Sequence, residues 1–124
     1  MRRIEEYKSL KPAGHYSLAT IHNNTVYVSG QLPIDVTTGE KLLGTIKEQS
    51  QVVLHNINEI LNEAGSSISQ VLKVTVYISD IRLWDEVNEV YANFFKENKP
   101  ARVIVPTREL HYGFNIEMDV IAYI

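Results

Sequence analysis

The sequence lacks cysteine altogether and contains no long hydrophobic run. Without cysteine, disulfide bonds, thiolate nucleophiles and cysteine-ligated zinc or iron centres are excluded. No window approaches the ~20 apolar residues that a membrane-spanning helix requires. Arg2 and Arg3 are not followed by the apolar segment of a signal peptide. These absences predict a soluble cytoplasmic protein that does not associate with a membrane.

Blocks of like charge are also lacking, since basic and acidic residues are interspersed. With 12 basic and 15 acidic residues the formal net charge is -3, which gives no electrostatic support for nucleic-acid binding. The 124 residues fit one domain, residues 1–124, which can bury about two-thirds of its unfolded surface. We therefore expect a single domain that folds without disulfides.

Motifs for metal, nucleotide or covalent chemistry are not found. The four histidines are scattered, and no two have the spacing of a metal-ligand pair. No glycine-rich loop leads from a predicted strand into a helix, as a dinucleotide or P-loop site requires. Ser29 lies in Ser29-Gly30-Gln31, which is not a nucleophile elbow. Metal, dinucleotide and P-loop sites therefore have no support in the sequence, and a covalent intermediate is disfavoured.

The first third of the chain has the pattern of strands. Residues 16–21 and 25–29 are strand-like, and Asn23-Asn24 between them suits a two-residue hairpin turn because asparagine tolerates positive φ. A short extra strand is possible at residues 3–7. We expect these segments to pair as neighbours in one sheet.

Two helices are predicted in the middle of the chain. The first begins at Thr45, which has Glu48 three residues on as in a capping box, and it ends at Gly65. The second covers residues 83–96, with Asp80 as its cap. Its buried side is expected to consist of Trp84, Val87, Tyr91, Phe94 and Phe95.

Three further strands, residues 71–78, 100–105 and 115–120, complete the pattern. The order of elements predicts an α+β fold, in which both helices cover one face of a mixed sheet of about six strands. The other face is expected to carry Tyr27, Ser29, Lys73, Thr75, Tyr77, Arg102, Ile104, Glu117 and Ile121. Such a mixture of aromatic, polar and charged groups is typical of a face that packs against other subunits.

Two charged residues interrupt the apolar strands of the last quarter. Alternation places Arg102 and Glu117 on one face, and Val103 and Val105 on the opposite face with the apolar residues of the final strand. A charge is costly to bury unless it is paired. The two residues therefore form an ion pair between neighbouring strands, or they belong to a functional site.

Residues spread over nearly the whole chain occur in an order specific to one family. They are Gly14, Tyr16, Ser17, Ala19, Val28-Ser29-Gly30-Gln31, Gly39, Gln51, Asn56-Ile57, Leu61, Ala64-Gly65, Val74, Tyr77, Asn88, Tyr91, Pro100-Ala101-Arg102, Leu110 and Glu117. Together they resemble the pattern of the Rid proteins, the reactive intermediate deaminases. The resemblance implies a chorismate-mutase-like fold of the bacillus type. It also implies a homotrimer that packs through the free sheet face, with ligand sites between subunits.

The same resemblance implies an enzyme that hydrolyses enamines and imines, such as 2-aminoacrylate, to 2-keto acids and ammonia without a cofactor. By this likeness Arg102 binds the carboxylate of a small 2-imino acid, and Glu117 holds or activates the attacking water. Tyr16 and Ser29 line and orient the pocket. The implied substrate-binding set is Arg102, Ile104, Gly30 and Asn88.

Two departures from the family pattern leave an alternative open. Ile104 stands where threonine, serine or cysteine is usual, so its backbone N–H remains but a side-chain hydroxyl or thiol is lost. Residues 111–114, His-Tyr-Gly-Phe, replace a Leu-Pro-x-Gly-Ala pattern and predict a bulkier, more aromatic pocket wall. The departures favour either a shifted preference among imino acids or a non-catalytic trimeric module that binds small carboxylates or regulates a partner.

Overall fold

The computed structural model describes residues 1–124 and contains six strands and two α-helices. They are β1 (Arg2–Ile4), β2 (Ala19–His22), β3 (Thr25–Gln31), α1 (Ile46–Glu63), β4 (Val71–Ile78), α2 (Trp84–Phe95), β5 (Ala101–Pro106) and β6 (Ile116–Tyr123). One sheet has the order β1-β2-β3-β6-β4-β5, and only β4 and β5 run parallel. The predicted α+β fold with a mixed sheet is confirmed.

The hairpin of β2 and β3 turns at the predicted asparagine pair. Asn23 has φ 49° and Asn24 has φ 60°, and two successive left-handed residues form the turn that matches the twist of a tight hairpin. The predicted strand at residues 3–7 is shorter than expected and covers Arg2–Ile4. Tyr7 instead pairs with Leu10 in an isolated bridge, which turns the chain away from the sheet edge.

Helix α1 begins and ends as its sequence predicts. The Thr45 hydroxyl accepts the Glu48 N–H at 3.2 Å, and the Glu48 carboxylate accepts the Thr45 N–H at 3.3 Å. Gly65 follows the helix with φ 87°, the left-handed conformation that favours glycine. The buried Gln49 accepts the N–H of Asn115 at 2.9 Å. This bond ties the first turn of α1 to the entry of β6.

Helix α2 begins one residue later than expected, and its cap differs. The Asp80 carboxylate accepts the N–H of Arg82 at 2.9 Å and binds the Arg82 guanidinium at 2.6 Å. These bonds close a 3-10 turn over Ile81–Leu83, so Asp80 caps that turn and not the α-helix itself. The α-helical bonds begin at Trp84, where the chain leaves the tighter turn.

Both helices pack on the same face of the sheet, as predicted. The core between the layers includes Val74, Val76 and Met118 from the sheet and Ile57 and Leu61 from α1, all fully buried. Neither helix is both long and apolar enough to cross a membrane. The helices leave the opposite side of the sheet uncovered, and this side is called the open face below.

The predicted faces of β5 are wrong. In the parallel pair with β4, Arg102 stands beside Val74 and Ile104 beside Val76, whose side chains point into the core under the helices. Arg102 and Ile104 therefore lie on the helix side. Val103 lies on the open face and is 45% exposed. Alternation sets the phase within a strand, but the pairing register decides which phase faces the core.

The open face combines large apolar, hydroxyl and acidic side chains. Its members are Tyr27, Lys73, Thr75, Tyr77, Val103, Val105, Glu117, Asp119 and Ile121. Tyr27 is 48% exposed, and the Tyr77 hydroxyl donates to the Asp119 carboxylate at 3.3 Å. The mixed composition predicted for this face is thus present, with the two β5 valines in place of Arg102 and Ile104.

Candidate active site

A cavity of about 580 Å³ opens beside the end of β3. Its walls come from the loop before β2, the end of β3, the loop after it and the turn before β6. The lining residues used below are Lys11, Tyr16, Gly30, Lys41, His111 and Tyr112. No aspartate or glutamate lines this cavity, although one carboxylate lies directly behind its wall.

That carboxylate belongs to Glu117 and lies against Gly30. The pairing of β3 with β6 shifts register between Val28 and Gln31, so Ser29 and Gly30 form a bulge. A Cβ atom at Gly30 would stand 2.6 Å from Oε2 of Glu117 and 3.0 Å from its carboxyl carbon. The missing side chain of Gly30 therefore leaves the space that this carboxylate occupies at the cavity wall.

Burial raises the pKa of Glu117, because the half-buried carboxylate loses hydration. Positive charge on His111 acts in the opposite direction, and the negative charge of Asp119 raises the pKa further. No lysine or arginine forms a salt bridge with Glu117. An unpaired carboxyl group with a raised pKa beside a cavity is a candidate general acid or base.

Tyr16 and Ser29 lie on the same side of the molecule as Glu117. Tyr16 lines the cavity and is 52% exposed. The Ser29 hydroxyl donates to the Ser17 carbonyl at 2.6 Å, and the Ser29 N–H donates to the Leu18 carbonyl at 2.9 Å. Ser29 thus fastens the segment that carries Tyr16 to the bulge, so its observed contacts are with the backbone.

Arg102 belongs to a different group, formed with α2. Its guanidinium donates to Oδ1 of Asn88 at 3.1 Å. It also lies over two aromatic rings, 4.5 Å from the centre of Trp84 and 4.6 Å from that of Tyr91. These contacts hold the planar group at a shallow hollow of about 360 Å³, which Asn88, Tyr91 and Arg102 help to line.

Ile104 lies next to the Arg102 group but is half-buried and packs against the core. Its side chain thus serves packing, and only its backbone N–H is available for the role that the family pattern implies. Asn88 is the one other expected substrate contact near Arg102. The sequence-predicted residues therefore divide into two sets.

The two sets lie on opposite faces of the sheet. Glu117 stands beside Tyr77 on the open face, whereas Arg102 stands on the helix side. Gly30, Tyr16 and Ser29 accompany Glu117. One chain therefore does not bring Arg102 and Glu117 together, and the ion pair considered as an alternative is not formed within it. That purely structural explanation for the two charges therefore does not hold within one chain.

Sequence reasoning missed the aromatic partners of Arg102. Helical spacing predicted Trp84 and Tyr91 as core residues of α2, whereas the family resemblance had already named Asn88 as a substrate contact. Their spacing of four and three residues places them on one side of α2, which was the available signal for a shared role. No sequence pattern indicated a functional role for Lys41, because the position of its loop depends on tertiary packing.

The chain combines three features: helices that cover one face of the sheet, a cavity at a bulged strand, and a second group, centred on Arg102, on the helix side of the sheet. Together these features define a structural class of protein. It comprises small α+β proteins whose mixed sheet is covered by helices on one face only. A family model described as Endoribonuclease L-PSP matches residues 6–124. The chain belongs to this family, the Rid (YjgF/RidA) proteins.

Relatives of the chain come from archaea, mammals and bacteria. A RutC family protein of Pyrococcus abyssi is 49% identical over 116 residues, which are 94% of this chain and 91% of that protein. Human 2-iminobutanoate/2-iminopropanoate deaminase is 36% identical over 121 residues, 98% of this chain and 88% of that protein. The solved structure of the Rid protein YyfA from Yersinia pestis has a TM-score of 0.93 at 35% identity, covering 99% and 98% of the chains.

Proposed function

We propose that this protein hydrolyses small 2-imino acids and their enamine tautomers to 2-keto acids and ammonia. The observation that carries the proposal is the half-buried, unpaired Glu117 carboxylate, which lies against Gly30 at the wall of a cavity. The human relative named 2-iminobutanoate/2-iminopropanoate deaminase supports the same reaction class. We favour it over RNA cleavage, the activity in the family description, because the net charge is -3 and basic residues form no block.

The proposed reaction needs one water and one proton carrier. Water attacks the protonated imine carbon while Glu117 accepts a water proton, giving a carbinolamine. Glu117 returns that proton to nitrogen, and the C–N bond breaks as the C=O bond forms. The hydroxyl proton passes through Glu117 to ammonia, so the protonated imine and water become 2-keto acid and ammonium. General acid–base catalysis of this kind contributes on the order of 10²- to 10⁴-fold.

Arg102 is proposed to bind the substrate carboxylate. A guanidinium presents two parallel N–H donors that match a carboxylate, and a charge-assisted bond of this kind contributes roughly 1.5–3 kcal/mol. Asn88 already accepts from one guanidinium nitrogen, which orients the group and leaves further donors available. The backbone N–H of Ile104, two residues along β5, is the proposed second contact with the carboxylate.

We further propose that the complete site forms between copies of the chain in a homotrimer. Arg102 and Glu117 lie on opposite faces within one chain, so a second copy must supply one of them if both act on one substrate. The open face, with Tyr27 and Val103 nearly half exposed, is the proposed contact surface. Exposed apolar groups of this kind are typical of subunit interfaces.

A coupled assay tests the activity. A dehydratase generates 2-aminoacrylate, and its decay is followed with the wild-type protein, with Glu117→Gln and without protein. We expect faster decay only with the wild type, because glutamine keeps the shape of Glu117 but cannot accept the proton. Equal rates of decay in all three arms would contradict the proposed hydrolase activity.

The second candidate is a module that binds small carboxylates without catalysis, and the packing of the Ile104 side chain favours it. The Ile104 side chain lacks the hydroxyl or thiol that is usual at this position, and it packs against the hydrophobic core. Binding of 2-ketobutyrate, measured by calorimetry, distinguishes the two. Arg102-dependent binding without acceleration of imine decay supports the module.

A further inference from the structure

Two positively charged side chains line the cavity. Lys11 and Lys41 both line it, and no aspartate or glutamate does. Neither lysine has a salt-bridge partner, whereas Lys8 pairs with Glu59 at 3.3 Å and Lys47 pairs with Glu89 at 2.9 Å. Two unpaired ammonium groups at a cavity without acidic lining favour an anionic occupant.

Lys41 is held in place and is not a free surface side chain. Its backbone pairs with Ile34 in an isolated bridge, and Leu42 next to it donates to the Pro33 carbonyl at 2.9 Å. Its Nζ lies 4.6 Å from the centre of the Tyr112 ring. The bridge fixes the origin of the side chain, and the ring fixes its end.

Tyr112 is itself held in an uncommon backbone conformation. Its φ is 60° and its ψ 17°, a left-handed conformation that is costly for an aromatic residue. Gly113 follows with φ 78°, and the Tyr112 ring packs edge-on against the buried Phe114 at 5.9 Å. Strained residues of this kind cluster at ligand sites. The tight turn directs Tyr112 to the cavity wall, where its ring supports Lys41.

We propose that Lys41, assisted by Lys11, binds a second anionic group of the substrate. The preferred substrates are therefore 2-imino acids whose side chain ends in a carboxylate. This inference rests on the proposed function. It places the α-carboxylate at Arg102 of another copy, the imine carbon at Glu117 and the side-chain carboxylate at Lys41. The cavity of about 580 Å³ lies in the usual range of small-molecule sites and has room for a substrate with two carboxylates.

The test compares imines that an amino-acid oxidase generates from glutamate and from 2-aminobutyrate. For the wild type we expect the higher kcat/KM with the glutamate-derived imine. In Lys41→Gln the ratio of the two kcat/KM values falls about tenfold, as expected for loss of one charge-assisted hydrogen bond. Lys47→Gln removes the same charge from α1, where Lys47 lines a different cavity, and leaves the ratio unchanged.

A binding measurement separates this inference from the proposed reaction. Calorimetry with 2-ketoglutarate and 2-ketobutyrate reports the second anion site without turnover. Hydrolysis of the small imine with an unchanged ratio in Lys41→Gln overturns the inference and leaves the proposed function standing. A Lys41-dependent preference for 2-ketoglutarate, with no hydrolysis of either imine, overturns the proposed function and leaves the inference about the second anion site standing. An equal loss for both ligands places Lys41 at the α-carboxylate and also overturns the inference.

Discussion

The Glu117 carboxylate occupies the space where a side chain at Gly30 would begin. A Cβ there would stand 2.6 Å from Oε2, well inside van der Waals contact. We expect Gly30→Ala to displace the carboxylate and to lower imine hydrolysis at least tenfold with little loss of fold, since the backbone of Gly30 is not left-handed. Steady-state rates, with the melting temperature recorded alongside, provide the measurement.

Gly14→Ala is the matched control, because Gly14 lines the same cavity. A Cβ atom at this position would meet only ring carbons of Tyr16, at an ordinary 3.6 Å. A comparable loss of rate in both alanine variants would show that the effect of Gly30→Ala is not specific to the Glu117 carboxylate.

The opposite-face placement of Arg102 and Glu117 predicts complementation between inactive copies. Arg102→Ala and Glu117→Gln, each inactive alone, are unfolded, mixed in equal amounts and refolded together. If the site lies between subunits, about a quarter of the sites regain both residues under random mixing. The recovered rate relative to wild type is the readout.

The control for complementation is a mixture of the two folded variants that has not been unfolded, which exchanges subunits slowly or not at all. A site contained within one chain gives no recovery after co-refolding. That outcome would contradict the proposed arrangement of the trimer.

The stacking of Arg102 on Trp84 predicts an effect on substrate affinity. A cation–π contact at an exposed site is worth about 0.5–1 kcal/mol, so Trp84→Leu is expected to raise KM by about two- to fivefold with little change in kcat. Trp84→Phe keeps an aromatic face and is expected to restore most of the affinity. A drop in kcat with unchanged KM in Trp84→Leu would argue against a role in positioning Arg102.

Glu117 also predicts a pH dependence of stability. Its pKa is raised above 4.5 by burial, so the folded state binds more protons than the unfolded state in the window just above 4.5. The free energy of unfolding therefore falls as pH rises through that window. Glu117→Gln lacks this loss. We expect its stability advantage to appear above pH 4.5 and to vanish below it, as measured by denaturant titration.

Asp80 provides a control of opposite sign. The side-chain hydrogen bond from Arg82 lowers the pKa of Asp80 to about 2, so this contribution to stability is present above pH 3.8 and is lost as pH falls through about 2. Asp80→Asn is therefore expected to lower the free energy of unfolding at pH 7 and to have little effect on it near pH 2. The same pH trend in both variants would mean that the pH dependence of stability reflects the acid sensitivity of the whole protein and does not arise from Glu117 and Asp80.

Local sequence determined the elements themselves. Thr45 and Glu48 specify the start of α1, Gly65 its end, and Asn23-Asn24 the hairpin turn, because each acts through hydrogen bonds or backbone conformations within a few residues. The family was likewise evident from residues in order along the chain. These features do not depend on distant packing, and the structure confirms them.

Only the tertiary structure decided the faces of β5 and the division of the site. The alternation in residues 102–105 does not show which set of side chains faces the core, because valine is common on both faces of a sheet. Pairing with β4 placed Arg102 against α2 and left Val103 uncovered. The bulge that opens Gly30 to Glu117, and the bridge that brings Lys41 to Tyr112, depend on partners far along the chain. Their geometry follows from packing between segments, which no local pattern encodes.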